Sequence, residues 1–306
     1  MSKPLHYLSA ALVLTMLGQA ANAEELWDPY LRGVNEGLPA GALPPPGVYG
    51  ILNNYWLSYS RFDNNGDKVS NTGLFAVIEV PVLLWVPGIK LLGADYAVGI
   101  AQPFDYTSSS NKLSPYSGSG NIGLYNTILI PGQLSWTLPH HLFVKTGLEI
   151  YLPDASTTMG DLVSGKIKNG GLPSGNGYTA IQPDLGFSYI NGPLTLNAGF
   201  SISFPVTDDN YDGISYRSGN EFSADYSAMY AIGKWSFGLG MEQQQQLNGD
   251  KVNGVDIGNK ATNLAMGPLV SYQAGSVTIT GEWNHNLITK NEVAGDFFNV
   301  RLLTRF

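Results

Sequence analysis

The chain has 306 residues, of which only 13% are charged, about half the fraction of roughly 25% that is usual in soluble globular proteins. It contains 37 glycines and 17 tyrosines but no cysteine, which excludes disulfide bonds, a lipid-modified cysteine anchor and thiol chemistry. A formal net charge of −8, with few lysines and arginines, argues against nucleic acid as a partner.

Residues 1–23 have the features of a secretory signal peptide. Lys3 is the only charged residue, residues 8–17 are apolar, and the small-x-small pattern at 21–23 precedes Glu24. The apolar run is shorter than the ~18 residues of a membrane-spanning helix, so an uncleaved anchor is the less favoured alternative. The pattern predicts export and removal of residues 1–23.

Residues 24–46 form an irregular, proline-rich lead-in that ends in three consecutive prolines, at 44–46. Proline donates no backbone hydrogen bond and favours extended, unpaired chain. Two interpretations follow, a periplasmic spacer and a partial plug in the mouth of a barrel. The spacer is the default expectation.

From residue 47 to residue 306 apolar and polar residues alternate in about twelve segments, a period that β-strands convert into two distinct faces. The first five segments lie near residues 48–61, 70–82, 92–106, 122–138 and 142–152. The second of them is apolar on both faces and is the least regular. One face of the first segment carries Tyr49, Ile51, Tyr55, Leu57 and Tyr59.

The clearest pattern is a hairpin over residues 178–206. Its second strand alternates strictly between apolar and polar residues from Leu194 to Val206. Asn191 and Gly192 separate the two strands and suit the positive φ angles of a tight hairpin turn. Each strand is long enough to cross a bilayer, which takes about 9–11 tilted residues. Five more segments follow near 221–232, 234–246, 263–273, 277–284 and 298–306.

The connections between these segments alternate between short and long. Turns of two or three residues follow the fourth, sixth, eighth and tenth segments, and long polar loops near 107–120, 153–175, 207–218 and 247–259 follow the odd ones. Outer-membrane barrels sort their connections in this way, with short periplasmic turns and long extracellular loops, whereas a soluble β-sandwich has no reason to. The predicted fold is therefore an all-β, transmembrane, antiparallel up-and-down β-barrel of about 12 strands over residues 47–306. The connection near 83–91 is longer than this pattern explains.

The start of the barrel also resembles a known family. Residues 38–49 (LPAGALPPPGVY), 53–55 (NNY) and 62–66 (FDNNG) resemble the meta-pathway of phenol degradation family, whose members are outer-membrane channels of Gram-negative bacteria. The resemblance implies an outer-membrane location and passage of small hydrophobic or aromatic compounds, and it supplies no catalytic residues. The terminal Phe306 resembles the signal that the barrel-assembly machinery reads.

If the apolar faces contact lipid, the opposite faces line the lumen. Acids outnumber bases eight to four among the predicted lumen-lining residues, which favours cations or neutral molecules over anions. A narrow pore is the favoured interpretation, and a closed interior of mutually paired charges is the alternative. The predicted residues are Asp95, Asp105, Lys145, Glu149, Gln182, Asp184, Glu221, Asp225, Lys234, Glu242, Gln244, Glu282, Arg301 and Arg305.

An enzymatic function is the weakest of the alternatives. The outer-membrane phospholipase pattern places a serine two residues after its histidine, but here His141 is followed by Phe143 and His285 by Leu287. A structural or adhesive barrel stays open. We expect no catalytic residue, metal or cofactor. The expected partners are the lipid bilayer, lipopolysaccharide, the barrel-assembly machinery and a small-molecule cargo.

Overall fold

A computed structural model describes residues 27–109, 119–167 and 169–306, so the predicted signal peptide lies outside the described residues. Most of the described chain is β-structure, and its single named helix is five residues long. In chain order the elements are β1 (Gly47–Arg61), β2 (Leu74–Val86), β3 (Lys90–Leu91), β4 (Ala94–Ala101), β5 (Phe104–Ser109), β6 (Asn121–Leu124), β7 (Ile128–Leu138), β8 (Leu142–Tyr151), α1 (Met159–Val163), β9 (Ala180–Asn191), β10 (Leu194–Pro205), β11 (Asp209–Tyr211), β12 (Ile214–Arg217), β13 (Glu221–Ile232), β14 (Trp235–Gln246), β15 (Lys251–Val252), β16 (Val255–Asp256), β17 (Thr262–Ala274), β18 (Val277–Lys290) and β19 (Val293–Arg305).

These strands form a closed, antiparallel barrel of twelve wall strands, which confirms the predicted fold. Two wall strands consist of two pieces each, β4 with β5 and β6 with β7. The first is interrupted at Gln102 and Pro103, and the second at residues 125–127. Proline cannot donate to a strand ladder, which accounts for the first break. Pairing of β1 with β19, from Tyr49 opposite Arg305 to Arg61 opposite Val293, closes the wall.

The long connection after β2, which the loop pattern did not explain, contains a small hairpin. The two-residue strand β3 pairs with the start of β4, with Lys90 opposite Asp95, and so extends the wall at the short-turn end of the barrel. Short turns mark the periplasmic end and long loops the extracellular end. None of the helices in the described part of the chain is long and apolar enough to cross a membrane.

The outer surface of the barrel carries rows of exposed apolar side chains, as lipid contact requires. Trp56 is 40% exposed, Leu83 49% and Phe237 48%, each on the outward face of its strand.

One assignment of faces from the sequence is wrong. The apolar row of β1, expected to contact lipid, points inward, and its side chains are buried or partly buried. The inner row of β2 is also apolar, and its side chains are buried or partly buried. Apart from Asn53, the inner rows of both wall strands are therefore apolar, because this sector of the lumen is itself apolar. The inward-facing residues of β1 are Tyr49, Ile51, Tyr55, Leu57 and Tyr59.

Residues 27–46, hereafter the plug, lie inside the barrel rather than beneath it as a spacer. Successive turns stabilise the plug, with the N–H of Val34 bonded to the carbonyl of Leu31 and that of Glu36 to Gly33. It leaves the lumen at the periplasmic end, where the Tyr49 hydroxyl donates to the Pro45 carbonyl at 2.6 Å. The plug thus spans much of the lumen before the first strand begins.

Two extracellular loops fold together into a small sheet of β11, β12, β15 and β16. Asp208, just before β11, accepts hydrogen bonds from the Ser215 hydroxyl at 2.6 Å and from the Arg217 guanidinium. The Ser215 bond is the larger cause, and the two together hold the pKa of Asp208 below its usual value. These bonds link the start of the sheet to β12.

The protection of backbone amides in this sheet against hydrogen exchange should depend on pH only in the acidic range. A carboxyl whose pKa is lowered by folding stabilises the fold above its unfolded pKa of about 3.9, and that contribution is lost as pH falls through the lower folded value. We expect the amide protection factor of Tyr216 to be constant from neutral pH to about 4 and to fall below it. Hydrogen exchange measures this, and an Asp208→Asn variant should lack the step. Protection that is constant throughout the acidic range would contradict the assignment.

Candidate functional site in the barrel lumen

The plug divides the lumen into two unlike halves. On one side the inner faces of β10, β13, β14 and β17 to β19 are polar and contact the plug directly. On the other side the inner faces of β1, β2, β4 and β7 are mostly apolar, and they pack against apolar side chains of the plug, Trp27, Leu31 and Leu43. We call the first side the plug seat and the second the apolar wall.

The side chain of Asp225, on the plug seat, binds mainly backbone groups of the plug. Its carboxylate accepts the N–H of Asn35 at 2.9 Å and that of Gly33 at 3.3 Å, and also the Tyr30 hydroxyl. Asp225 is 2% exposed. Hydrogen bonds to a charged group contribute about 1.5–3 kcal/mol each, so one buried side chain holds a whole turn of the plug.

Arg301 of the plug seat binds the carbonyls of that same turn. Its guanidinium donates to the Glu36 carbonyl at 2.6 Å and to the Val34 carbonyl at 2.8 Å. It also donates to Asn53 at 2.8 Å and lies 3.6 Å from the carboxylate of Glu282. An acid therefore binds the N–H groups of the turn and a base binds its carbonyls.

The plug brings charges of its own into the lumen. Arg32 forms ion pairs with Asp28 at 2.8 Å and with Glu292 at 3.2 Å, and it donates to Gln244 of the plug seat. Glu36 is fully buried and accepts from the Asn284 amide at 3.0 Å. Several polar side chains of the lumen thus pair with the plug.

Glycines in the wall make room for the plug backbone. A Cβ on Gly186 of β9 would lie 1.9 Å from the carbonyl oxygen of Ala40. A Cβ on Gly240 of β14 would lie 1.7 Å from the Glu36 carboxylate. Both distances are far below van der Waals contact, so the plug reaches its position only because these wall positions lack side chains.

A cavity of about 450 Å³ lies between the plug and the apolar wall. This volume is within the range of roughly 300–1,000 Å³ that is typical of small-molecule sites, and the lining is mostly aliphatic and aromatic. Lys145 and Glu149 of β8 supply charged groups at one side, while Leu38 and Leu43 of the plug close the other. The apolar wall contributes Ile51, Ile78, Val80, Val82, Leu84, Ala101, Ile128 and Ile130.

The structure distributes the fourteen predicted lumen residues over three locations. Eight are buried in the interior: Asp105, Gln182, Glu221, Asp225, Glu242, Gln244, Glu282 and Arg301. Three face the interior and are partly buried: Lys145, Glu149 and Asp184. Three lie at the periplasmic end: Asp95 in an exposed ion pair with Lys90 at 2.8 Å, Lys234 in the turn after β13, and Arg305, which donates to the Pro46 carbonyl. Phe306 follows β19 and is 78% exposed.

The sequence favoured a spacer over a plug for the lead-in, and it did not predict the apolar wall. Both the plug and the apolar wall left a signal in the sequence. The lead-in carries Arg32 and Glu36 beside apolar residues, which a solvated spacer does not need, and glycines recur at inward positions such as Gly186 and Gly240. In addition, β2 is apolar on both faces, as a strand between lipid and an apolar lumen must be.

The sequence from residue 60 to residue 302 matches the family described as "Putative MetA-pathway of phenol degradation", which covers most of the chain. The chain belongs to this family. The resemblance predicted from the sequence is thereby confirmed. A search of curated proteins finds no match by sequence.

Solved structures with the same fold are outer-membrane barrels. The COG4313 outer membrane channel from Pseudomonas putida F1 superposes with a TM-score of 0.76 at 14% identity, over 89% of this chain and 99% of that one. The translocator domain of the autotransporter NalP from Neisseria meningitidis gives a TM-score of 0.51 at 11% identity, over 97% and 98%. Together with the family match, the twelve-stranded barrel makes the chain an outer-membrane protein of a Gram-negative bacterium. These two neighbours are a channel and a translocator domain.

Proposed function

We propose that this protein is a channel that passes small apolar compounds, aromatic hydrocarbons among them, across the outer membrane. The observation that carries the proposal is the apolar cavity between the plug and the apolar wall. Membership of a family named for phenol degradation supports it, as does the shared fold with a bacterial outer membrane channel.

The division of the lumen favours an apolar cargo over a charged one. Most of the buried acids lie on the plug seat, where Asp225 binds plug groups and others bond to wall side chains, as Glu282 does to Arg301. Their charge is therefore taken up inside the plug seat rather than presented to the cargo. The charged side chains among the described residues that line the cavity are Asp28, Asp105, Lys145 and Glu149. Asp28 is paired with Arg32 at 2.8 Å, and Lys145 lies close to Glu149 on the same strand. Most of the remaining lining is apolar, which favours a neutral apolar cargo.

Passage requires the plug to shift, because it occupies the lumen beside the cavity. The plug is held by hydrogen bonds and ion pairs on one side and by apolar contact on the other. A cargo that enters the cavity replaces only the apolar contacts. The wall strands need not move, since their ladders do not involve the plug.

Filling the cavity should block uptake. Val80 points from β2 into the cavity, and Val77 of the same strand points outward, opposite Trp56. We expect Val80→Trp to lower uptake of labelled toluene several-fold, because the indole occupies the space of the cargo. Val77→Trp places the same ring against lipid and should leave uptake unchanged. Whole cells that contain equal amounts of folded barrel provide the measurement.

The outcome also separates a channel from a closed structural barrel. If wild-type cells take up toluene no faster than cells that lack the protein, the channel function is wrong. If both tryptophan variants transport at the wild-type rate, apolar compounds pass by a route other than this cavity.

A further inference from the structure

Glu79 is a carboxyl group on the outer surface of the barrel wall. It lies on β2 opposite Asn54 of β1 and opposite Phe104 of β5. Asn54 and Phe104 both face away from the lumen, since their neighbours Asn53 and Asp105 are buried inside. Glu79 therefore points toward the lipid and has no part in the plug seat or the cavity.

Its height on the wall places it within the apolar band. Along the outward row of β2 it is four residues from Phe75 and six from Trp85, the exposed aromatic residues nearest the two ends of the strand. At about 3.3 Å per residue these separations are roughly 13 and 20 Å along the strand, and the tilt of about 35–45° makes the corresponding heights roughly a quarter smaller. Neither interface is within easy reach of so short a side chain.

A charged or polar group is energetically unfavourable at this position. Ionisable residues on the lipid face of a barrel destabilise it, most strongly near the middle of the membrane. Within the described part of the chain, no hydrogen bond or ion pair satisfies the Glu79 carboxyl. By contrast Asp296, the outward carboxyl of β19, is paired with His285 at 2.8 Å.

The neighbour of Glu79 adds a second acceptor rather than a donor. The Asn54 amide nitrogen donates to the Val300 carbonyl at 2.7 Å, which leaves its side-chain oxygen available on the outer surface. The outward residues next to this pair on the same strands and on β5 are apolar. They are Trp56 of β1, Val77 and Pro81 of β2, and Phe104 of β5.

We propose that Glu79 and Asn54 form a binding site on the outer wall for an amphiphile dissolved in the membrane. The ligand would carry a hydrogen-bond donor headgroup, an ammonium above all and a hydroxyl more weakly, and its apolar chain would lie along the surrounding aromatic and aliphatic side chains. The headgroup supplies the donor that the two acceptors lack, and an ammonium also neutralises the carboxylate. The site does not depend on what passes through the lumen.

Zero-length coupling tests the site directly. Purified barrel in detergent micelles is treated with dodecylamine and dicyclohexylcarbodiimide. The carboxyl adds to the carbodiimide, and the amine then displaces dicyclohexylurea to form an amide, which peptide mass spectrometry locates. We expect about tenfold more dodecylamide at Glu79 than at Asp296, which corresponds to a preference of about 1.4 kcal/mol. Excess dodecanol should suppress the product several-fold, and excess dodecane should not.

Variants separate recognition from mere reactivity. Glu79→Gln should abolish the product, and Asn54→Ala should reduce it several-fold, both in barrels whose folding is verified by their heat-dependent mobility on gels. Equal coupling at Glu79 and Asp296 would overturn the proposal, as would suppression by dodecane as strong as that by dodecanol. Unchanged coupling in Asn54→Ala would overturn the part assigned to Asn54.

Discussion

Gly186→Ala should displace the plug and raise the single-channel conductance several-fold in planar bilayers. The added Cβ would lie 1.9 Å from the carbonyl oxygen of Ala40 and 2.5 Å from its carbonyl carbon. These are backbone atoms, which cannot turn aside as a flexible side chain can. The plug must therefore leave its position near β9, and the space it vacates conducts ions.

The barrel contains a matched control for this substitution. Gly199 of β10 is the direct cross-strand partner of Gly186 and also faces the plug. A Cβ there would meet the Ala40 side chain at 3.6 Å, an ordinary van der Waals distance. Gly199→Ala should keep the wild-type conductance. If the two variants conduct equally, close packing at Gly186 does not hold the plug.

Arg301→Ala should release the plug and destabilise the barrel together. The substitution removes the donor to the plug carbonyls of Val34 and Glu36 and leaves the carboxylate of Glu282 buried without its cation. Breaking a buried ion pair in this way costs about 3–5 kcal/mol. Urea titration of the folded barrel, followed by its mobility on gels, measures the loss of stability, and conductance measures the release of the plug.

Arg305→Ala is the corresponding control at the barrel rim. Arg305 is exposed and donates to the Pro46 carbonyl, the last proline of the plug, at 2.6 Å. Because Arg305 is exposed to solvent and its removal leaves no buried charge unpaired, we expect a smaller change in the urea midpoint than for Arg301→Ala and an unchanged conductance. If both variants lost a similar amount of stability, the buried position of Arg301 would have no special role.

The architecture of the wall could be predicted from the sequence because a membrane barrel repeats one simple rule. Every strand must alternate, and every second connection must be short. The hairpin of β9 and β10 shows how far this extends, since the predicted turn at Asn191 and Gly192 lies where the two strands meet. Polar residues at alternate positions along their strands also predict that Asp225 and Glu282 face the interior.

The remaining features depend on information that alternation does not contain. A period of two separates the faces of a strand, but it does not state which face points inward when part of the lumen is itself apolar, and this is why the prediction for β1 is wrong. Nor does it give height on the wall, so Lys234 and Arg305 were grouped with residues deep in the lumen. The plug could be predicted only as an alternative to a spacer, because its turns are stabilised by partners such as Asp225 that are distant in sequence.

The position of Arg301 beside the junction of the first and last strands has a consequence for biogenesis. Its guanidinium bonds to Asn53 across that junction and, on its inner side, to the chain that precedes β1. The plug, which precedes β1, therefore has no complete binding site until β19 is in place. Insertion of β19 and docking of the plug are therefore coupled. A barrel in which β1 and β19 were not yet paired would also lack the Arg301 bonds that hold the plug in the lumen.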